Sequence, residues 1–265
     1  MTPLSGIQQN MQRGATYHRL TVDRGAQRGN VFGTREGEAP RSPQELALSA
    51  PRHSAVINGG YFVHKGGLQT DTGETIHGLG RPVGPTHTRS DHTPVPSPWQ
   101  GDYGRLTVGH NTGLSSGPLL MHGGRLPDIP DHDRFKYRLG SAGENPLNSR
   151  AGALTHASDH NERAAVSIDL DSRTLRMHTL TAGGQRHLGG TMRQWQQIVA
   201  HGSGPRRQVD GFTHVARASA LNLDGGGSVF MGVRTSTGIR QISRGGNPTE
   251  AIRPVANVIA SKSPR

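Results

Sequence analysis

The chain has 265 residues, a formal net charge of +11 and no cysteine, and only 31% of it is hydrophobic against 38 Gly and 17 Pro. The lack of cysteine excludes disulfides, a thiol nucleophile and thiolate metal sites, and no apolar run approaches the roughly 20 residues that a membrane-spanning helix needs. So much Gly and Pro with so little apolar content points to a turn-rich, strand-containing α+β domain with long loops.

Residues 1–15 are expected to form a flexible leader and 16–265 a single domain. The polar start, "MTPLSGIQQNMQRGATYHRL", lacks the apolar core of a secretory signal. It fits a cytoplasmic protein, or a bacterial effector exported by a dedicated secretion machine. A strand is expected at Thr16 to Asp23, followed by a loop over "RGAQRGNVFGTREGEAPRS". In "SPQELALSA", Ser42 as N-cap, Pro43 at the first helical position and Glu45 three residues after the cap predict a short helix opened by a capping box. "SAVINGGYFV" then predicts a buried strand ending at Asn58, with a turn at Gly59 and Gly60.

From Lys65 to Asp102 the chain is dense in Gly, Pro, Thr and His, and its prolines exclude regular helix or central strand. So long a loop, 64–102, is usually functional, and a lid over the site is one reading of it. Strands resume at "YGRLTVG" and at "GPLLMHGGRL", which turns at Gly123 and Gly124; a second irregular stretch runs from Pro127 to Asn161. "RAAVSIDLDSRTLRMHTL" predicts a hairpin, with Val166, Ile168 and Leu170 on one face, a turn at Asp171 and Ser172, and Leu175 and Met177 resuming in step. "TMRQWQQIVAHG" predicts a helix with Met192, Trp195 and Val199 along one stripe, Thr191 and Gln194 in its capping box and Gly202 just past its end. A polar loop follows, then the strand "SALNLD", and a last strand spans Ile252 to Ser261. Hairpins and crossovers together imply a mixed, largely antiparallel sheet with few helices.

The segment "NLDGGGS" concentrates the chemistry. Alternation sends Leu221 and Leu223 to one face and Asn222 and Asp224 to the other, just before Gly225, Gly226 and Gly227. Three consecutive glycines are unfavourable unless a turn needs positive φ or something approaches the backbone closely, and their amides could cradle an anion. "VINGGYF" repeats the plan with Asn58, Gly59 and Gly60. The excess positive charge suits an acidic partner, but the basic residues are scattered and almost all arginine, and aromatic residues are few. A generally basic, Arg-rich protein is therefore a better reading than a dedicated nucleic-acid binder, and a phosphorylated substrate, which Arg binds well, stays open. The histidines show no H-x-x-x-H helix motif and are read as solvated loop residues rather than metal ligands. No cofactor is expected, although a hard divalent cation beside Asp224 is left open.

These blocks, "AVINGGYF", "SGPLLMHGGRL", "ERAAVSIDLDSRTL", "TMRQWQQIVAHG", "ALNLDGGGSVFM" and "IRPVANVIAS", occur in the order expected of phosphodiester glycosidases, and the resemblance covers Thr16 to Ser261. It implies an enzyme that releases a sugar from a sugar-1-phosphodiester and leaves a phosphomonoester. It further implies Asp224, Asn222 and Arg163 as catalytic residues, and Asn58, Gly59, Gly60, Gly225, Gly226, Gly227, Ser228 and Arg253 as substrate-binding residues. The sequence departs from the family around Arg163, where "NER" replaces the usual proline, and Arg150 offers a rival alignment for the family arginine. Two other readings stand beside the enzyme: a non-catalytic binder of a phosphorylated sugar or nucleotide, and a basic nucleic-acid binder. The sequence says nothing of oligomeric state.

Overall fold

In this computed structural model, consecutive residues of each central strand are buried on opposite faces, which places apolar layers on both sides of two sheets. The structure describes residues 14–22, 29–35, 38–63, 80, 82, 86–87, 104–109, 112–129, 157–204, 206–209, 212–215 and 217–261. Residues 1–13 of the expected leader, most of the 64–102 loop, most of the stretch between Pro127 and Asn161, and Arg150 lie outside the described residues; Ala15, placed in the leader, is buried in the core.

The first sheet orders β1 (Thr16–Val22), β9 (Leu175–Thr181), β8 (Arg163–Asp169), β12 (Ala218–Asn222) and β7 (Leu119–Met121). The second orders β14 (Ile239–Arg244), β13 (Phe230–Arg234), β3 (Ala55–Asn58), β15 (Asn257–Ser261) and β2 (Gly29–Gly33). Smaller sheets are made by β4 (Thr86–His87), β6 (Thr112–Ser116) and β5 (Gly104–Gly109), and by β10 (Arg206–Val209) with β11 (Phe212–Val215). Every pairing among the described strands is antiparallel.

Ile57, Val166, Met177, Leu221, Leu223 and Met231 fill the layer between the two large sheets. Their strand neighbours point outward. Ala165, Leu180 and Ala220 meet Met192, Trp195 and Val199 of the helix α2 (Met192–Gly202), while Val56, Phe230 and Val258 meet Leu46 and Ala47 of α1 (Pro43–Leu48). The result is an α+β fold in four layers, helix, sheet, sheet, helix. Burying each large apolar side chain fully contributes roughly 1.5–3 kcal/mol relative to leaving it exposed. Both expected capping boxes are present: Ser42 accepts from Glu45 N at 3.2 Å, and Thr191 accepts from Gln194 N at 3.3 Å. Among the described residues no helix is long and apolar enough to cross a membrane.

Several local expectations need correction. β2 lies inside a stretch read as loop; its glycine ends hide it, yet pairing with β15 and burial of Val31 and Phe32 make it a strand. β10 and β11 form a hairpin where a polar loop was expected, and β13 with β14 forms another after the glycine turn. The last strand begins at Asn257 rather than Ile252, because the preceding segment crosses over to bridge Val255 to Arg41. Gly202 is the last helical residue and Ser203 the C-cap, with the Ser203 hydroxyl donating to Val199 O at 2.6 Å. Leu170 is exposed in the hairpin turn, whereas Val166 and Ile168 pair with Met177 and Leu175 as the alternation requires.

Candidate active site

Two interior strands, β3 and β12, one from each large sheet, end side by side. Asp224 N donates to Gly59 O at 3.0 Å, and the Asn58 amide donates to Asp224 O at 2.8 Å, so the "NGG" and "NLDGGG" turns are tied together. Asn58 is fully buried and wholly engaged: its Nδ2 also donates to Gly59 O, and its Oδ1 accepts from Phe230 N at 3.1 Å. It acts as a clamp between three chain segments. Gly59 and Gly60 are packed as tightly. A Cβ at Gly59 would lie 2.7 Å from Asn257 O, and Gly60 N donates to Asn257 Oδ1 at 3.1 Å.

Asp224 emerges from this junction with its side chain 17% exposed. One carboxylate oxygen accepts from Gly225 N at 3.0 Å, and the other is 3.3 Å from the Arg253 guanidinium. Arg253 is held in turn: its Nε donates to Ser228 Oγ at 2.7 Å, its Nη2 to Gly225 O at 2.9 Å, and its backbone N to Gly227 O. Its Nη1 has no hydrogen bond among the described residues, and the side chain is 34% exposed. Arg253 therefore stands in the segment before the last strand and leans over the glycine turn.

The amides of that turn are largely consumed. Gly225 N serves Asp224, Gly226 N donates to Glu162 O at 2.9 Å, and Ser228 N donates to Gly225 O. The glycines answer to packing: Gly226 has φ +59°, and a Cβ at Gly225 would lie 2.7 Å from Glu162 O.

Behind Asp224 lies a second set of polar groups. Asn222, on the same face two residues earlier, is buried, and its Nδ2 donates to Tyr61 OH at 3.0 Å and to Leu223 O at 2.9 Å. Arg163 opens β8 with 4% exposure, its Nε donating to Gly190 O and its Nη2 to Asp159 O. Burial pushes the Tyr61 phenol well above its ordinary value; Arg163 works against this and Asp224 adds to it. Tyr61 is thus hydrogen-bonded to Asn222 and feels the charges of both Arg163 and Asp224. Burial likewise works against the charge of Arg163, which Tyr61 and Asp159 favour.

The sequence reading missed Tyr61, Glu162 and Asn257. Tyr61 directly follows "NGG", and Asn257 is a polar residue opening an apolar strand. Glu162 is a buried carboxylate satisfied by backbone alone: Oε1 accepts from Ala182 N at 2.7 Å and Gly184 N at 3.3 Å, and Oε2 from Gly246 N at 2.6 Å. It pins two glycine turns against the glycine turn after Asp224. Among the described residues no three His, Cys, Asp or Glu side chains come together as they would around a metal.

A family model of phosphodiester glycosidases matches residues 26–261. No curated protein sequence matches the chain. Among solved structures, the zebrafish N-acetylglucosamine-1-phosphodiester alpha-N-acetylglucosaminidase catalytic domain, auto-inhibited by its pro-peptide, is 13% identical, with 94% of this chain and 83% of that chain covered and a TM-score of 0.49. A hypothetical protein from Synechocystis is 14% identical, with 94% and 60% covered and a TM-score of 0.48.

Proposed function

Given that the chain belongs to the phosphodiester glycosidase family, and so is a glycosidase-type hydrolase of phosphodiesters, we propose that it cleaves the bond between the anomeric carbon and the phosphate oxygen of a glycosyl- or ribosyl-1-phosphodiester. The bonding pair of that C–O bond leaves with the phosphate, water supplies hydroxide to the carbon, and the remaining water proton is released. The products are a free sugar and a phosphomonoester.

The observation that carries this reading is the Asp224–Arg253 pair at the joined ends of β3 and β12. As the C–O bond breaks, positive charge develops on the sugar and a second negative charge on the departing phosphate. Asp224, oriented by Gly225 N and partly exposed, is the carboxylate for the sugar side. Arg253, with an uncommitted Nη1, and Arg163 are the cations for the phosphate side. Ser228 contributes by holding Arg253 in place, and Asn58, Gly59 and Gly60 by fixing the backbone of Asp224.

Asp224→Asn keeps an oxygen for Gly225 N, so it removes charge without dismantling the turn. We expect the variant to keep its thermal midpoint within a few degrees and to lose release of sugar from such a diester by at least about 100-fold. Mass spectrometry of wild type and variant on a panel of sugar and nucleotide phosphodiesters measures this. Equal turnover by both would overturn the assignment of Asp224.

A further inference from the structure

The amide of Asn222 can be oriented without ambiguity, and its orientation leaves one atom unused. Nδ2 lies 2.9 Å from Leu223 O, a carbonyl that only accepts, so the amide nitrogen must face it. The second Nδ2 hydrogen goes to Tyr61 OH at 3.0 Å. Asn222 Oδ1 is then buried with no hydrogen-bond donor among the described residues. Tyr61 is in the complementary state. Its oxygen accepts from Asn222, which leaves the phenolic proton to be donated outward, and no acceptor for it occurs among the described residues. Gly117 lies against the pair, where a Cβ would come within 2.7 Å of Asn222 Nδ2 and 2.8 Å of Tyr61 OH.

A buried acceptor without a donor is unfavourable, and beside it stands a phenolic proton with no acceptor among the described residues, so one group that both donates and accepts would complete the two together. The two requirements together are selective. A phosphate oxygen accepts only, and so would satisfy Tyr61 while repelling Asn222 Oδ1. An acetamido group offers both an N–H for Asn222 and a carbonyl for Tyr61, so the pair does not select against it. A hydroxyl does both, accepting from Tyr61 and donating to Asn222. Position agrees with chemistry. Asn222 and Asp224 are same-face neighbours along an extended chain, about 6.5–7 Å apart at their Cα atoms. That is roughly the distance from a carboxylate at the anomeric carbon to a group bonded to the hydroxyl of the next carbon.

We propose that Tyr61 and Asn222 form the subsite for the sugar hydroxyl adjacent to the reacting carbon, and that they set the enzyme against sugars that lack a hydrogen-bonding group there. The proposal rests on the reaction assigned above and narrows its substrate class: 2-hydroxy sugars, including ribose, over 2-deoxy sugars. Hydrogen bonds to this hydroxyl also tighten as the sugar becomes oxocarbenium-like, so the pair acts on rate as well as on binding.

The test crosses substrate with variant. Wild type and Tyr61→Phe are assayed on glucosyl- and ribosyl-1-phosphodiesters and on their 2-deoxy counterparts. We expect wild type to prefer the 2-hydroxy substrates by at least about tenfold in kcat/KM, and Tyr61→Phe to slow the 2-hydroxy substrates at least about tenfold more than the 2-deoxy ones, so that the preference is lost. Equal rates on all substrates by wild type, or equal slowing of 2-hydroxy and 2-deoxy substrates by Tyr61→Phe, would overturn the subsite while the reaction stands. Binding of the matching non-hydrolysable C-glycosyl phosphonates, measured by calorimetry, separates the two ideas if nothing is turned over. A 2-hydroxy preference lost in Tyr61→Phe then upholds the subsite without the reaction, and its absence overturns both.

Discussion

His178 gives the fold a calculable weakness to acid. It is fully buried on β9, with Nδ1 2.8 Å from Tyr17 OH and Nε2 2.8 Å from Ser167 Oγ. The Ser–His hydrogen bond resembles that of an activated nucleophile, but Ser167 and His178 are both inaccessible, so the pair is structural. Burial holds the imidazole neutral, Arg19 and Arg176 add to the effect, and its pKa falls from 6.5 to about 3. In the unfolded chain the ring takes up a proton below pH 6.5, whereas in the folded chain it does so only near pH 3. Its contribution to stability is therefore complete above pH 6.5 and lost progressively as pH falls toward 3. At pH 5 the unfolded state gains about 2 kcal/mol from this proton alone. His178→Gln removes the titration and keeps a hydrogen-bonding group. Urea unfolding of both proteins at pH 7.5 and pH 5.0 should show the stability difference between the two pH values shrinking by about 2 kcal/mol in the variant. If both proteins lose the same stability over that interval, the imidazole is not the group responsible.

Two further substitutions probe the frame around Asp224. Glu162→Gln turns an amide NH2 toward Ala182 N, Gly184 N or Gly246 N, and at least one of those buried donors loses its acceptor. A loss of about 1–3 kcal/mol in urea unfolding is expected, with faster amide exchange at Gly184 and Gly246; an unchanged midpoint refutes the bracing role. Gly59→Ala and Gly227→Ala form a contrasting pair, because a Cβ at Gly59 meets Asn257 O at 2.7 Å while one at Gly227 meets only Arg253 Cβ at 3.7 Å. Soluble, folded Gly227→Ala beside misfolded or strongly destabilised Gly59→Ala is the expected outcome by circular dichroism, and equal tolerance of both would contradict the packing described.

What the sequence made legible was whatever depends on neighbours along the chain. The two capping boxes, the β8–β9 register and the turn at Gly123 and Gly124, both at positive φ, are set by residues a few positions apart. β2 escaped notice because nothing local makes "GNVFG" a strand; β15, more than two hundred residues away, does. Tyr61 was visible as the letter after "NGG", but its importance depends on the ends of β3 and β12 meeting, a long-range register that alternation within either strand does not reveal. Glu162 was hidden for the same reason, since its partners lie on two separate turns.

The glycine run reads differently once those partners are known. Three glycines after a carboxylate suggest an anion cradle, but Gly225, Gly226 and Ser228 direct their amides to Asp224, Glu162 and Gly225. What the glycines provide is room: Gly225 lies against the Glu162 carbonyl, Gly226 adopts positive φ, and the turn that results presents the Gly225 and Gly227 carbonyls to Arg253. The run thereby supplies one acceptor for the guanidinium, Gly225 O, and one for the Arg253 backbone N–H, Gly227 O, as well as space for the backbone. Arg253, fixed by those carbonyls and by Ser228, carries the positive charge that the amides do not offer. Under the proposed reaction, phosphate recognition falls to guanidinium groups, which stabilise a charge growing from one to two more strongly than neutral amides would.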